Sequence, residues 1–390
     1  MPRSNSERDS EWHLRQFFSG NGDHGTVIAE FAESFRQQVG SSMKIMIRAT
    51  NWVGDAILAL PAIRAVRHKF PEAHISIVAR PYVAEIYRDQ SICDELIAYD
   101  PKGTHCGWSS RAVLAAELRE RKLDVALLLQ NAFDAAWLAW RAGIPERIGY
   151  ARDGRRLLLT KAIAVPKSGE IPAHEKFYYL ELLRRAGWID RLQDDAHIAL
   201  HVPEARRVKA AETLRDAGAR PHAFRVAIGA GASYGSAKCW PPERFAEWAN
   251  RFQAETDGDV ILLGTAAEAG VSNAIIAGMK KKPVDLTGKT AIGDLPALLS
   301  QCQLFLGNDS GAMHVAAAVG VPVVAIFGPT DPFGTAPVTP RSSIVQERPY
   351  CSPCFLRRCP TDHRCMKSIT PEMVAAAAKP WLVSLEVRPG

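Results

Sequence analysis

Twice along the chain, short apolar runs of strand length alternate with longer segments of helical period, a pattern that points to parallel sheets covered by helices. In the first half, strands are predicted over 45–49, 75–79, 96–99 and 125–130, with helices over 55–69, 110–121 and 133–142. In the second, strands over 226–229, 260–264, 284–286, 304–307 and 323–327 alternate with helices over 242–254, 266–279, 292–302 and 311–319. The fold class is therefore α/β, with two Rossmann-like doubly wound halves facing a cleft. A length of 390 residues exceeds what one core usually organises, in keeping with two domains. The first is expected over 43–195 and the second over 205–370, with a linker inside 190–204 and a terminal helical segment over 371–390. Residues 1–42 read as an extension, in which Ile28, Phe31, Phe35 and Val39 share one helical face; no catalytic role falls to it.

Composition narrows the class of partner. With 47% hydrophobic and 23% charged residues the chain is globular, neither disordered nor fibrous. The net charge of +6 suits an anionic ligand, but the basic residues are dispersed, so phosphorylated or carboxylated substrates are expected and nucleic acid is not. No run approaches the ~20 apolar residues of a membrane span. Nor is there a secretory leader, so a cytoplasmic location is expected, where eight cysteines read as thiols or metal ligands before disulfides.

In doubly wound sheets ligands bind beyond the carboxyl ends of the strands, and three motifs lie there. Asn51-Trp52-Val53-Gly54-Asp55 follows the first strand. Asp55 reads either as a helix-capping carboxylate or, because its loop opens into the cleft, as a general base for an acceptor hydroxyl. The loop 229–241 carries small residues, the Ser233 hydroxyl and the mobile charge of Lys238, a combination that suits phosphate; it matches neither the Walker nor the G-x-G-x-x-G spacing. Asn308-Asp309-Ser310-Gly311-Ala312-Met313-His314 places free N–H groups and a positive helix end at Ser310 and Gly311, which suits a diphosphate. Asp309 fits a sugar hydroxyl or the turn itself, and His314 a donor contact or the core. Glu268 fits a ribose or a helix start.

Two further features stay open at this level. Cys351, Cys354, Cys359 and Cys365, with His363 alongside, offer soft ligands for a structural zinc or iron, or are reduced and packed thiols. The stretch 141–161 holds Arg141, Arg147, Arg152, Arg155, Arg156 and Lys161, either a solvated face or, beside the cleft, a surface for an anionic acceptor.

Residues 43–55, the loop Lys238-Cys239-Trp240-Pro241, the run 308–314 and the cysteine loop 351–366 together resemble the lipopolysaccharide heptosyltransferases, glycosyltransferase family 9. The resemblance extends from about Met43 to the last helix. It implies the GT-B fold and inverting transfer of heptose from ADP-heptose to the first heptose of the lipopolysaccharide inner core, with no catalytic metal. It also implies peripheral contact with the inner face of the cytoplasmic membrane. By the same resemblance Asp55 is the base, and Ser233, Lys238, Ser310 and Gly311 hold the donor phosphates; Asn51 and Trp52, on the loop that carries Asp55, are expected toward the acceptor. Asp309 falls near the donor heptose and Glu268 near the ribose. One related branch binds iron through four cysteines, with a spacing different from that found here. Alternatives are a transferase adding the first heptose or modifying a protein, an epimerase acting on the donor alone, and a non-catalytic sugar-nucleotide binder.

Overall fold

The computed structural model describes residues 43–192 and 198–383. The amphipathic segment of the extension, part of the linker and the chain beyond 383 lie outside the described residues. From Lys44 to Val383 the described residues form one compact unit containing two sheets. The first is β1 (Lys44–Arg48), β2 (His74–Ala79), β3 (Glu95–Ala98), β4 (Val125–Leu128), β5 (Glu146–Tyr150) and β6 (Lys161–Ile163), all parallel, in the order β3-β2-β1-β4-β5-β6. The second is β7 (Arg225–Gly229), β8 (Asp259–Leu262), β9 (Val284–Asp285), β10 (Leu304–Asn308), β11 (Val323–Phe327) and β12 (Ser342–Gln346), ordered β12-β11-β10-β7-β8-β9 and parallel throughout. Both orders reverse direction between their first and fourth strands, and that switch point is where such sheets bind ligands. The loops after β1, β7 and β10 therefore open at the two switch points.

Central strands are buried on both faces and read as unbroken apolar runs, such as Val-Ala-Leu-Leu in β4 and Val-Val-Ala-Ile-Phe in β11. Strands β5, β6 and β12 escaped the sequence pattern because they carry charge or hydroxyls and lie toward the sheet edges. The helices Pro81–Tyr87, Glu175–Arg185 and Glu204–Asp216 were likewise not anticipated. The single helix expected over 55–69 is two, Val53–Leu58 and Leu60–Lys69, with Pro61 in the first turn of the second. Proline has no N–H to continue the hydrogen-bond ladder. The terminal segment holds the helix Pro371–Val383.

Aromatic packing sets the core of the second half. Trp240 is fully buried against Phe245 with centroids 4.8 Å apart, and Trp248 stacks on Phe252 at 5.5 Å. The Trp240 indole donates to the Ile369 carbonyl at 3.0 Å, and its backbone N–H donates to Asn308 Oδ1 at 3.0 Å. Asn308 in turn donates to the Ala230 carbonyl at 2.6 Å. One buried amide thus ties the loop after β7 to the end of β10, and the Lys238 loop is held at both ends.

The halves meet where the Val53–Leu58 helix crosses the Gly311–Ala318 helix. Glycine on both sides permits the approach. A Cβ at Gly311 would lie 2.9 Å from Val53 Cβ, and one at Gly54 would lie 3.0 Å from His314 Cδ2. Gly311→Ala is therefore expected to destabilise the fold by about 1–3 kcal/mol, as overpacked contacts do, read as a fall in the thermal midpoint. An unchanged midpoint would mean that this crossing is loose in solution.

Candidate active site

The loop after β1 is built around a buried cation. Arg48 is fully enclosed and donates to the carbonyls of Ala49 (2.6 Å) and Val78 (3.3 Å) and to Asn51 Oδ1 (2.9 Å), while its guanidinium lies 4.9 Å from the Tyr99 ring centroid. Asn51 Oδ1 also accepts from Arg80 Nε at 3.3 Å, and the Asn51 carbonyl accepts from the Tyr82 hydroxyl at 2.6 Å. Asn51 thus serves first to shape the loop, with its side-chain oxygen already engaged. Trp52, by contrast, is exposed.

Asp55 lies in the first turn of the helix that starts at Val53. Burial pushes its carboxyl up to about 6; the Lys238 ammonium opposes that rise and the Asp309 carboxylate adds to it. Asp55, Lys238 and Asp309, separated by more than 250 positions at the extremes of the sequence, therefore share one electrostatic site. Lys238 Nζ is 2.5 Å from Asp309 Oδ2, which also accepts from the Thr330 hydroxyl at 2.7 Å. Lys238 further lies 4.7 Å from the Tyr234 ring centroid. Lys238 and Asp309 are both nearly enclosed, with side chains 12% and 5% exposed, so removing either leaves the other charge poorly solvated.

The start of the Gly311–Ala318 helix presents an unused polar group. Ser310 occupies the N-cap position but makes no side-chain cap, and its hydroxyl is buried without a hydrogen-bond partner. A buried hydroxyl of this kind costs free energy unless something fills it. At a positive helix end, an anionic oxygen fits that place. Ser233 is exposed on the loop above.

Other sequence assignments resolve less simply. His314 is buried, with burial holding it down to about 4 and hence neutral; its ring packs at the junction of the halves beside Gly54. Its placement is that of a spacer between the halves. Glu268 Oε2 accepts from the Thr265 backbone N–H (2.6 Å) and hydroxyl (2.9 Å), closing a capping box. The same carboxyl lies against Gly231 of the loop after β7, so the helix-start reading of Glu268 and its proximity to the donor loop hold together.

One acidic group was missed. Glu175 opens the helix Glu175–Arg185. Burial and then the Asp55 carboxylate push it up to about 7 against the pull of Arg152. The preceding His174 caps the helix by accepting from the Lys176 N–H at 3.3 Å, and its Nε2–H donates to the Ala336 carbonyl of the second half at 2.9 Å. The sequence signal was the acidic first-turn residue ahead of Phe177, Leu180 and Leu183, all of which prove buried. The basic stretch also divides. Arg155 donates to the Tyr150 carbonyl and to Asn131, Arg147 to Leu158, and Lys161 to Ala186, so these three brace the fold. Arg152 faces Glu175 and Tyr178, whereas Arg141 and Arg156 lie on the outer surface.

The cysteine loop has a structural part in the site. Cys351, Cys354, Cys359 and Cys365 line one cavity of about 180 Å³ together with His363. Among the described residues no group of three or more His, Cys, Asp or Glu side chains is gathered so as to hold a metal ion. Instead the loop grips the backbone around Lys238: Ala237 N–H donates to the Arg357 carbonyl at 3.1 Å, His363 donates to the Ala237 carbonyl at 2.7 Å, and Tyr234 donates to the Phe355 carbonyl at 2.7 Å.

Comparison with known proteins agrees with this geometry. The family described as Glycosyltransferase family 9 (heptosyltransferase) matches residues 111–364. Lipopolysaccharide heptosyltransferase 2 of Escherichia coli is 28% identical over 312 residues, covering 78% of this chain and 88% of its own. The solved structure of the E. coli ADP-heptose lipopolysaccharide heptosyltransferase II superposes with a TM-score of 0.75 at 26% identity, covering 88% of this chain and all of the other. A family 9 glycosyltransferase from Veillonella parvula gives a TM-score of 0.77 at 26% identity, over 88% and 98% of the two chains.

Proposed function

Since the chain belongs to glycosyltransferase family 9, the heptosyltransferases, and has the GT-B fold of two facing Rossmann-like halves, we propose that it moves heptose from ADP-L-glycero-D-manno-heptose to the first heptose of the lipopolysaccharide inner core, with inversion. The observation that carries this reading is the meeting of Asp55, from the first half, with Lys238, Asp309 and the open helix end at Ser310, from the second.

The chemistry follows from where charge develops. As the anomeric C–O bond breaks, its electron pair leaves with ADP, and negative charge grows on the diphosphate. Lys238, the Ser310 hydroxyl and the N–H groups at Gly311 are disposed to stabilise it. The acceptor hydroxyl oxygen forms the new bond from the opposite face of the sugar and gives its proton to Asp55. A carboxyl held near 6 is ionised at neutral pH yet more basic than an ordinary aspartate, which favours that transfer. Asp309 lies beside the ammonium, in position for a donor-sugar hydroxyl, and the carboxyl of Glu268 faces the donor loop on the nucleoside side. Trp52 lies toward the acceptor, and the lipid carrying that acceptor implies peripheral contact with the membrane. No helix among the described residues is long and apolar enough to cross one.

Incubating the protein with ADP-heptose and a monoheptosylated core tests the reading: the acceptor should gain one heptosyl residue. Gain by a heptose-free core or a protein instead would shift the acceptor, and conversion of donor without any acceptor would indicate an epimerase. The pH profile supplies a second check. Because Asp55 must be ionised, kcat/KM should rise with pH through about 6, and this limb should persist in Glu175→Gln. Its loss in that variant would mean that the two carboxyls share the catalytic proton.

A further inference from the structure

The outer surface of the first half carries an arrangement that the cleft does not use. The helices Trp108–Glu120 and Phe133–Arg141 pack side by side, and the second also touches the 156–158 turn. From these three segments Trp108, Phe133, Trp140 and Leu157 project outward, 57%, 44%, 49% and 94% exposed. Single exposed apolar residues are ordinary, but four on adjoining segments, two of them indoles, mark a contact surface. The set is also ordered: Trp108 stands edge-on to the half-buried Trp137 at 5.0 Å, and Phe133, Trp137 and Trp140 follow one stripe of their helix.

Charge identifies the occupant. Arg111 lies over the Trp108 ring at 5.3 Å, and Arg141 and Arg156 are exposed beside Trp140 and Leu157 in sequence. None of the three arginines is in an ion pair among the described residues. The one acid of the Phe133–Arg141 helix, Asp134, turns away and accepts the Tyr99 hydroxyl at 2.8 Å. Indoles prefer the boundary between hydrocarbon and headgroups, and arginine buries its stem while its guanidinium reaches phosphate. We propose that this face seats the enzyme on an anionic phospholipid bilayer. The inference rests on the reading of a lipid-borne acceptor and adds the surface that receives the membrane. Topology supports the placement: Trp108 follows β3 and Phe133 follows β4, the neighbour of β1, so the patch begins at the same sheet rim as the loop carrying Asp55. An acceptor anchored in the bilayer would enter the cleft along that rim.

The test is co-sedimentation with phosphatidylglycerol-containing vesicles and with pure phosphatidylcholine vesicles. The wild-type chain should bind the former and little of the latter. Trp140→Ala combined with Leu157→Asp should weaken binding at least about tenfold, and Arg141→Glu with Arg156→Glu should abolish the preference for phosphatidylglycerol. Both variants should keep wild-type ADP affinity and wild-type turnover on an O-deacylated core saccharide in solution, which shows that they are folded and separates this proposal from the transferase reading. Absence of vesicle binding by the wild type, or undiminished binding by the first variant, overturns the proposal. So does a wild-type dimer that the first variant converts to monomer while vesicle binding stays the same, because the face would then join two copies of the chain. Failure of the wild type to act on the soluble saccharide would instead contradict the transferase reading, whatever the vesicles show.

Discussion

Asp55→Asn should lower turnover by ~10²–10⁴-fold, the usual contribution of a positioned base, while ADP binds nearly as well as to the wild type. The asparagine keeps the shape of the loop and its place in the first helical turn but cannot accept the acceptor proton. The same substitution should make the protein more stable. The folded-state pKa of Asp55, about 6, lies above the ordinary 3.8, so the native state holds this proton more tightly than the unfolded chain does. Stability contributed by the neutral carboxyl is complete below the ordinary value and is lost as pH rises through about 6. At neutral pH the ionised group is therefore a strain on the fold, and the neutral amide should recover ~1–3 kcal/mol, seen as a higher thermal midpoint at pH 8 and little change near pH 4. An inactive variant with an unchanged midpoint at pH 8 would mean that Asp55 is better solvated than its surroundings indicate.

Lys238→Ala should reduce both donor affinity and turnover, with a loss in turnover of ~10²–10³-fold, comparable to removing a donor that stabilises developing negative charge. Its effect on the fold should be unfavourable, opposite in sign to that of Asp55→Asn. Asp309 is enclosed and among the described residues would retain the Thr330 hydroxyl as its side-chain partner, and breaking a buried pair from one side costs ~3–5 kcal/mol. The double variant Lys238→Ala with Asp309→Asn separates the two roles, because neutralising both partners should restore much of the stability and none of the activity. Normal donor affinity in Lys238→Ala would remove its role on the diphosphate.

These expectations draw on both sequence and structure, and the division between them has physical causes. The central strands were legible because burial on both faces demands unbroken apolar runs, as at β4 and β11, whereas β6 and β12 satisfy only one neighbour and carry the hydroxyls and charge of an edge. The motifs at Asp55, Lys238 and Ser310 stood out because loops at a switch point need small residues and free N–H groups. What the sequence could not display was their meeting. The coupling of Asp55 to Lys238 and Asp309 depends on two helices crossing at Gly54 and Gly311, and a glycine looks the same in sequence whether a turn or a neighbouring backbone requires it. Glu175 was overlooked for a related reason: a carboxylate in a helical first turn is common, and only its burial near Asp55 sets it apart. The cysteines show another gap, since their spacing raised ligands or packed thiols but gave no sign that their loop holds the backbone around Lys238.

The most direct test of the shared site is the structure of the protein with an unreactive ADP-heptose analogue bound. The account predicts the diphosphate against Lys238, the Ser310 hydroxyl and the Gly311 N–H, with the anomeric carbon turned toward Asp55 and open to a hydroxyl on that side. A donor bound with its diphosphate away from Ser310, or with Asp55 on the leaving-group side of the sugar, would contradict it.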